Sequence, residues 1–373
     1  MVDIKNTKTK QRIICNALIF IILVIIHLII FLQRNKVDND EITRHKPKSK
    51  NNITHHYRAP TPKRITRTGC RLDNKTNHSM FSNASPEIPS NLRLAMLGDS
   101  LMRYQYIDLV YFLKSFGDSI HNTTGTKLNE GKSWWRNTSL TPPIEYGDAP
   151  SKYYSSWDVY YNYTNSLLQP YERCDCYRWI PQNRENRYYY DPRTFTNNVI
   201  YYINKGGINP VQSYWTPQTI WDDHGPMHRQ GHKTNPSDWP HKHIFNWAEV
   251  INDFISQLVP KPNIIILNAG FWEHNLHDPK IRTKIIQSIK EQGMISIYKT
   301  TSKTTKLNET SMRDYETEMC RLADYCFDLT WTFNITADCL YDDKHFISPI
   351  YSWMNIAFFH LLQQIKEEHD LGI

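Results

Sequence analysis

The sequence has only 13 glycines in 373 residues, and they form neither a Gly-rich phosphate loop nor a dinucleotide-binding fingerprint. No fixed repeat period is visible, which favours one packed globular body over a repeat array. The cysteines include no CxxC pair, and this argues against a zinc site built from them. The formal net charge of +7 comes in part from basic residues around and after the first apolar run, so it does not indicate a nucleic-acid partner.

An apolar run of 20 residues from Ile13 to Leu32 has the length that a membrane-spanning helix needs. No A-x-A pattern follows it, so a retained signal anchor is favoured over a cleaved signal peptide. Cys15 within the run is either a palmitoylation site or an apolar membrane residue. We therefore expect a cytosolic tail at 1–12, a transmembrane signal anchor at 13–32, a disordered stem at 33–68 and a lumenal domain at 69–373.

Sequons for N-glycosylation occur only after this run, which places the body of the chain on the lumenal side. The sequence therefore predicts a single-pass type II protein of the Golgi or another secretory-pathway membrane. The predicted glycosylation sites are Asn52, Asn74, Asn77, Asn83, Asn122, Asn137, Asn162, Asn308 and Asn334.

The six cysteines beyond the apolar run form an even set, and in an oxidising lumen they predict three disulfides. Cys174 and Cys176 are too close in sequence to pair comfortably with one another, so we expect each to reach elsewhere, toward the C-terminal cysteines. The pairing is otherwise left open. The candidates are Cys70, Cys174, Cys176, Cys320, Cys326 and Cys339.

Short apolar runs alternate with helical patterns, which is typical of βα units and of a mainly parallel sheet with ligands at the carboxyl ends of its strands. Strands are predicted at Arg93–Leu97, Trp157–Tyr163, Val199–Ile203, Asn263–Leu267, Met294–Tyr298 and Phe327–Thr330. Helices are predicted at Leu101–Phe116, Trp247–Leu258, Pro279–Glu291, Ser311–Tyr325 and Pro349–Ile365. The stretch from about 122 to 239 is rich in Pro, Asn, Tyr and Trp and is predicted to be an irregular insertion that shapes the site.

The tripeptide Gly98-Asp99-Ser100 lies where the first predicted strand ends and a helix begins. A serine at such a turn projects above the sheet edge, close to N–H groups that stabilise an oxyanion, so Ser100 is a candidate nucleophile. A serine there can also simply cap the helix. Near the C-terminus His345 could act as its base, with Asp342 orienting the imidazole in a Ser-His-Asp triad. Taken alone, that segment is also typical of a solvated turn, and Asp343 or Asp338 competes for the acid role.

These blocks resemble the first and last blocks of the SGNH (GDSL-like) hydrolase superfamily. The string Gly98-Asp99-Ser100-Leu101-Met102-Arg103-Tyr104-Gln105 is similar to the PC-esterase and plant trichome-birefringence-like O-acetyltransferase group, whose third block resembles Asn268-Ala269-Gly270-Phe271-Trp272. The resemblance covers roughly 93–360 and implies a three-layer α/β/α domain, typically anchored by one N-terminal span. The chain departs from the plant proteins at Tyr104, where they usually carry Asn, and at Phe271, where they usually carry His.

The resemblance implies that the oxyanion is held by Ser100, by the Asn268 amide and by a second-block glycine. Gly206 and Gly207 are the candidates for that glycine, although two glycines after a strand are also typical of a plain turn. Three further residues, Arg103, Gln105 and Trp272, are candidates for binding substrate. The alternative for Arg103 is an exposed surface arginine.

Five histidines invite a metal site, but the glycines and the proline among them disfavour the helix that would align them. We therefore expect them to line a glycan groove or to pack a loop, and we predict neither a metal nor a cofactor. They are His224, His228, His232, His241 and His243.

The function predicted from these residues and from the resemblance is transfer of an acyl (acetyl) group to glycan hydroxyls through an acyl-serine intermediate. A carbohydrate acetyl esterase with the same triad is the alternative, because water can replace the sugar as acceptor. From another class, a catalytically silent glycan-binding or adhesion protein would keep the fold and its aromatic groove. The expected partners are a glycan or glycoconjugate substrate, the membrane through one N-terminal helix, and a separate membrane protein that supplies the acyl donor.

Overall fold

The computed structural model describes residues 88–122, 157–179, 182–194, 196–206, 211–213, 221, 242–244, 246–272, 276–304, 313–340, 343–346 and 348–369. All of them belong to the compact unit Pro62–Ile373. The predicted membrane anchor and stem lie outside the described residues. Within the described ranges, no helix combines the length and the apolar character that crossing a membrane requires.

Seven strands form the main sheet, in the order β2-β3-β4-β1-β7-β8-β9. Five neighbouring strands, from β4 to β9 in that order, run parallel, whereas β2 and β3 are antiparallel at one end. The α/β class with a mainly parallel sheet is therefore confirmed. The strands are β1 Arg93–Gly98, β2 Glu172–Trp179, β3 Gln182–Tyr190, β4 Val199–Asn204, β5 Val211–Ser213, β6 Lys242–Ile244, β7 Ile264–Leu267, β8 Ile295–Lys299 and β9 Tyr325–Phe327, of which β5 and β6 form a separate pair.

Strand β1 lies in the middle of the sheet and is buried on both faces. Leu94 and Met96 belong to the apolar core on one face, while Ala95 and Leu97 belong to the core on the other. This alternation follows from the two-residue period of a strand. A strand covered on both faces is a continuous apolar run, which is why β1 could be recognised in the sequence.

Helices cover both faces of the sheet. Packed into the core that contains Leu94 are α1 Ser100–Asn122, α2 Trp157–Leu168 and α6 Ser348–His369. The opposite core is closed by α3 Trp247–Asp253, α4 Pro279–Glu291 and α5 Asp314–Leu322. Short 3₁₀ turns lie at Pro192–Thr194, Ile255–Gln257, Thr330–Asn334 and Ala337–Cys339.

Where the structure describes the insertion, between 157 and 206, it is more regular than the sequence suggested. The predicted strand Trp157–Tyr163 is wrong, because these residues begin α2. Its aromatic residues favour strands, but Tyr160, Tyr161 and Thr164 recur at helical spacing and are all buried, so tertiary packing overrides that preference. The next segment forms the β2–β3 hairpin instead of an irregular loop, and the last strand is Tyr325–Phe327 instead of Phe327–Thr330.

The disulfides also differ from the expectation. Cys174 is bonded to Cys176, with 5.2 Å between their Cα atoms, and Cys320 is bonded to Cys326. The expectation that Cys174 and Cys176 each pair elsewhere was wrong. Side chains two residues apart on a strand point to the same face, and this Cα separation lies within the range that disulfides span. Cys339 is disulfide-bonded as well, while Cys70 lies outside the described residues.

Candidate active site

The carboxyl ends of β4, β1 and β7 meet at one edge of the sheet because these strands are parallel neighbours. The loop after β1 carries Ser100, the loop after β4 carries Gly206, and the loop after β7 carries Asn268. Backbone hydrogen bonds hold these loops together: Lys205 N–H donates to Gly98 O at 2.8 Å, and Asn268 N–H donates to Leu97 O at 3.0 Å. The three sequence blocks therefore converge at this edge, where open α/β sheets bind ligands.

Ser100 and His345 are in direct contact. The imidazole Nε2 lies 2.8 Å from the Ser100 Oγ, although the two residues are 245 positions apart in the chain. The imidazole is fully buried, which shields this contact from bulk water. A serine hydroxyl within hydrogen-bond reach of a histidine nitrogen is the arrangement that an activated nucleophile requires. Asp342, the predicted orienting acid, lies outside the described residues.

Asp99, not Ser100, caps α1. Its Oδ1 accepts the N–H of Leu101 at 2.9 Å, and its carbonyl accepts the N–H groups of Met102 and Arg103. Aspartate is a favoured N-cap residue, so the sequence already held the signal for this role. None of these bonds uses the Ser100 hydroxyl or its N–H. The capping alternative for Ser100 is therefore not what the structure shows, and its hydroxyl is left to His345.

The Asp99 carboxylate also joins two loops of the site. Its Oδ2 accepts the N–H of Phe271 at 3.2 Å, so one side chain links the loop after β1 to the loop after β7. Gly270 has a φ of 58°, and a Cβ there would overlap the Asp99 carboxylate. A Cβ at Gly98 would lie 2.9 Å from the Asn268 carbonyl oxygen. Both positions require glycine, because the loops approach one another more closely than a side chain allows.

Burial raises the pKa of Asp99, against the opposing effect of the N–H groups of Leu101 and Phe271. Beside it lies the buried Lys299, at the end of β8, whose Nζ donates to the Leu101 carbonyl at 3.2 Å. Burial lowers the pKa of Lys299 to about 7, and the charge of Asp99 opposes this shift. The sequence analysis missed this lysine, although a lysine that ends a strand of apolar character was a signal that could have drawn attention to it.

We expect the Lys299→Met variant to lose part of the pH dependence of unfolding. The pKa of Lys299 is about 7 in the folded protein and about 10.4 in an unfolded chain. Between these values the unfolded chain binds more protons than the folded one, so the free energy of unfolding rises with pH. From about pH 7 to about pH 9 this group contributes an increase on the order of 2 kcal/mol. Urea unfolding at several pH values measures it.

The matched control is Lys290→Met, because the Lys290 side chain is 52% exposed and forms an ion pair with Asp324 at the surface. The control should keep the wild-type slope. Burial also lowers the pKa of Lys205, to about 8, and this group contributes equally to wild type and variants. A Lys299→Met slope equal to that of the control would contradict the prediction.

The structure describes two of the predicted oxyanion donors besides Ser100, namely Asn268 and Gly206. The Asn268 side chain is fully buried, and its Nδ2 donates to the Lys299 carbonyl at 2.8 Å. One of the two N–H groups of this amide is therefore bonded to the end of β8. Gly206 lies two residues after the end of β4 and is buried beside the Trp272 ring, whose Cδ1 would lie 3.3 Å from an added Cβ. Gly207 lies outside the described residues.

Trp272 and the two other candidate substrate contacts differ sharply in exposure. Trp272 is 44% exposed, so its ring is open to a ligand. Arg103 is only 5% exposed and donates to Glu185 at 2.8 Å, and Gln105 is completely buried. Both side chains point into the protein, so contact of Arg103 or Gln105 with substrate stays a prediction. The surface alternative for Arg103 is excluded by the same burial.

Arg103 belongs to a buried network of two arginines and two glutamates. Arg187 donates to Glu185 at 3.0 Å and to Glu172 at 2.7 Å, and Arg103 completes the set through Glu185. Burial by itself would raise the pKa of Glu185, but the two arginines outweigh it and lower that pKa. For Glu172 burial outweighs Arg187, and its pKa is raised. The network ties the β2–β3 hairpin to α1, directly behind the nucleophile.

Most of the predicted glycosylation sites and most of the clustered histidines lie outside the described residues. Asn334 is exposed, as a glycosylated residue must be, and Asn122 and Asn162 lie in α1 and α2. The other sequons lie outside the described residues, as do four of the five histidines, while His243 lies in β6. In the part of the chain that the structure describes, no three His, Cys, Asp or Glu side chains are grouped so that they could hold a metal ion.

Comparison of the chain with protein-family models, with curated proteins and with solved structures gives no match. The observations that bear on function are therefore the geometry of the site and the sequence blocks that carry the resemblance.

Proposed function

We propose that this chain is an O-acyltransferase of the SGNH type, which moves an acetyl group onto glycan hydroxyls through an acyl-Ser100 intermediate. The observation that carries the proposal is the 2.8 Å contact between Ser100 Oγ and His345 Nε2. It is supported by the position of Ser100 at the start of a helix and at the carboxyl end of a central parallel strand. Helices on both faces of the sheet are what a three-layer SGNH-type domain requires.

In the proposed reaction Ser100 Oγ attacks the carbonyl carbon of an acyl donor while His345 Nε2 takes the hydroxyl proton. The carbonyl oxygen becomes an oxyanion, which the Ser100 and Gly206 N–H groups and the second N–H of the Asn268 amide would stabilise. His345 returns the proton to the departing oxygen, and the acyl group remains on Ser100. The acceptor hydroxyl then gives its proton to His345 and attacks the ester carbonyl. His345 passes this proton to the Ser100 Oγ as the ester bond breaks, which restores the free serine. Asp342 is proposed to orient the imidazole.

The acceptor is proposed to be a sugar because an exposed ring, Trp272, stands over Gly206 at the edge of the site. Aromatic faces pack well against the apolar faces of sugar rings. If water were the acceptor the same residues would make an acetyl esterase. The two activities differ in which nucleophile, a sugar hydroxyl or water, reaches the acyl-enzyme.

The proposed location is the lumen of the Golgi or another secretory compartment, behind one N-terminal span in type II orientation. The apolar run Ile13–Leu32 and the sequons beyond it support this placement. The Cys174–Cys176 and Cys320–Cys326 disulfides support an oxidising compartment. The acyl donor would then have to be supplied on the lumenal side, which is the reason for proposing a separate membrane protein as donor supplier.

The test is incubation of the full chain, in detergent, with an acetyl ester donor and a panel of glycans. We expect acetylated sugar together with covalent labelling of Ser100 by a fluorophosphonate, located by peptide mass spectrometry. Free acetate without acetylated sugar would replace the transferase with the esterase. Folded protein that neither takes the label nor turns over donor, but still binds glycan, would favour the non-catalytic binding protein.

A further inference from the structure

His345 contacts a second residue of the helix that carries the nucleophile. The Tyr104 ring packs against the imidazole in a T-shaped arrangement, with 4.6 Å between the ring centroids and 79° between the planes. Tyr104 follows Ser100 by four positions, so the two side chains lie on the same face of α1 one turn apart. Helix α1 therefore carries two groups that contact the His345 imidazole, the Ser100 hydroxyl and the Tyr104 ring.

The Tyr104 ring is itself held in place. Its hydroxyl accepts a hydrogen bond from Arg103 Nη2 at 2.8 Å, and Arg103 in turn donates to Glu185 at 2.8 Å. The Arg103 guanidinium also lies over the Tyr104 ring, 4.6 Å from its centroid. Tyr104 is completely buried, so its ring has no room to turn away. The chain of contacts runs from the buried charge network to the imidazole.

The segment after His345 is fixed from the other side. Phe346 N–H donates to the Tyr351 hydroxyl at 3.3 Å, and Phe346 forms a bridge with Leu340. The Tyr351 ring lies 6.0 Å from that of Tyr104. The backbone at His345 is thus anchored to α6, but these contacts leave the rotation of the imidazole about its own side-chain bonds undetermined. The Tyr104 ring packs against the imidazole and restricts this rotation.

We propose that Tyr104 is a positioning residue that sets the plane of the His345 imidazole, so that Nε2 stays directed at Ser100; this rests on the function proposed above. An imidazole that turns away from the hydroxyl cannot take its proton. A misalignment of about 1 Å in a reacting group lowers a rate by about a hundredfold. The plant O-acetyltransferases that the first block resembles usually carry Asn at the position of Tyr104. The resemblance therefore does not imply an aromatic contact with the histidine.

The test compares tyrosines on the same helix. Tyr104→Leu removes the ring beside His345, whereas Tyr106→Leu removes an equally buried ring that packs against Tyr202 instead. The measurement is fluorophosphonate labelling of the full chain, analysed as a maximal rate of inactivation, kinact, and a half-saturating concentration, KI. We expect Tyr104→Leu to lower kinact by about 10- to 100-fold with an unchanged KI, and Tyr106→Leu to keep kinact close to the wild-type value.

Tyr104→Phe gives the conservative comparison, because it keeps the ring and removes the hydroxyl that accepts the bond from Arg103. We expect it to retain most of the wild-type kinact. A large loss in Tyr104→Phe would overturn the proposal, since the hydroxyl and not the ring would then matter. Equal kinact values for Tyr104→Leu and Tyr106→Leu would also overturn it. Wild-type protein that takes no label would overturn the proposed function and this role with it.

Thermal unfolding of each variant separates alignment from stability. Both leucine variants should lose a similar amount of stability, because each removes a buried aromatic ring, while only one loses labelling rate. If Tyr104→Leu does not fold, Tyr104→Met repeats the comparison with an unbranched side chain that adapts to an irregular cavity, against Tyr106→Met. The same two outcomes then decide the role of the ring.

Discussion

Acetyl transfer should fall by at least about a thousandfold in kcat when Ser100 is replaced by Ala or His345 by Gln. Ser100→Ala removes the oxygen that carries the acyl group, and His345→Gln removes the nitrogen that lies 2.8 Å from it. Because the two groups act as one unit, the double variant should be no slower than either single variant. Initial rates of acetylated-glycan formation at saturating donor measure all three.

Matched controls exist for both changes. Ser166 is an exposed serine of α2, and His369 is an exposed histidine that hydrogen bonds to Tyr325 at the end of α6. Ser166→Ala and His369→Gln should keep the wild-type kcat. If the Ser100→Ala and His345→Gln losses multiplied in the double variant, the two residues would act in separate steps, and the acyl-serine mechanism would have to be abandoned.

Arg187→Met should lower the free energy of unfolding by about 3–5 kcal/mol. Arg187 is fully buried and donates to Glu185, Glu172 and the Thr164 hydroxyl. Without it Glu172 keeps no ion-paired cation among the described residues, and an uncompensated buried carboxylate is far more costly than a missing contact. Urea unfolding followed by circular dichroism measures the loss.

The surface pair of Arg321 and Glu318 provides the comparison, because the Arg321 side chain is 67% exposed. Arg321→Met should change the unfolding free energy by no more than about 0.5 kcal/mol. Adding Glu172→Leu to Arg187→Met should recover part of the loss, since it removes the unpaired charge and leaves Arg103 with Glu185. An Arg187→Met variant as stable as Arg321→Met would show that the network contributes nothing to the fold.

The strands around the nucleophile could be predicted from the sequence because strands buried on both faces are continuous apolar runs. Helix α4 could be predicted residue by residue, since Asp278 caps it and Pro279 occupies its first turn. The β2–β3 edge of the sheet, within the predicted insertion, could not be predicted. Its buried side chains are charged, and their partners are distant in the chain: Arg103 and Glu185 are 82 positions apart. An apolar pattern cannot show which charges neutralise one another.

The site divides in the same way. Ser100 and His345 could be found because each lies in a short segment whose residue types suit the chemistry. The sequence offered a signal for Asp99 as a helix cap and for Lys299 as a charge that ends an apolar strand. It could not show the contacts through which these two residues and Tyr104 support the site, because only the fold creates them. For Arg103 and Gln105 the sequence could not show that a polar side chain one turn from a nucleophile lies in the interior, where the structure places both.

The link that Asp99 makes between Leu101 and Phe271 bears on the origin of any rate enhancement. The dipoles around Ser100 are oriented while the chain folds, so they do not have to reorganise when charge develops on a substrate. Water, by contrast, must turn its dipoles at every reaction event. The close packing that forbids a side chain at Gly98 and Gly270 would thus keep the polar groups around Ser100 in a fixed orientation during the proposed reaction.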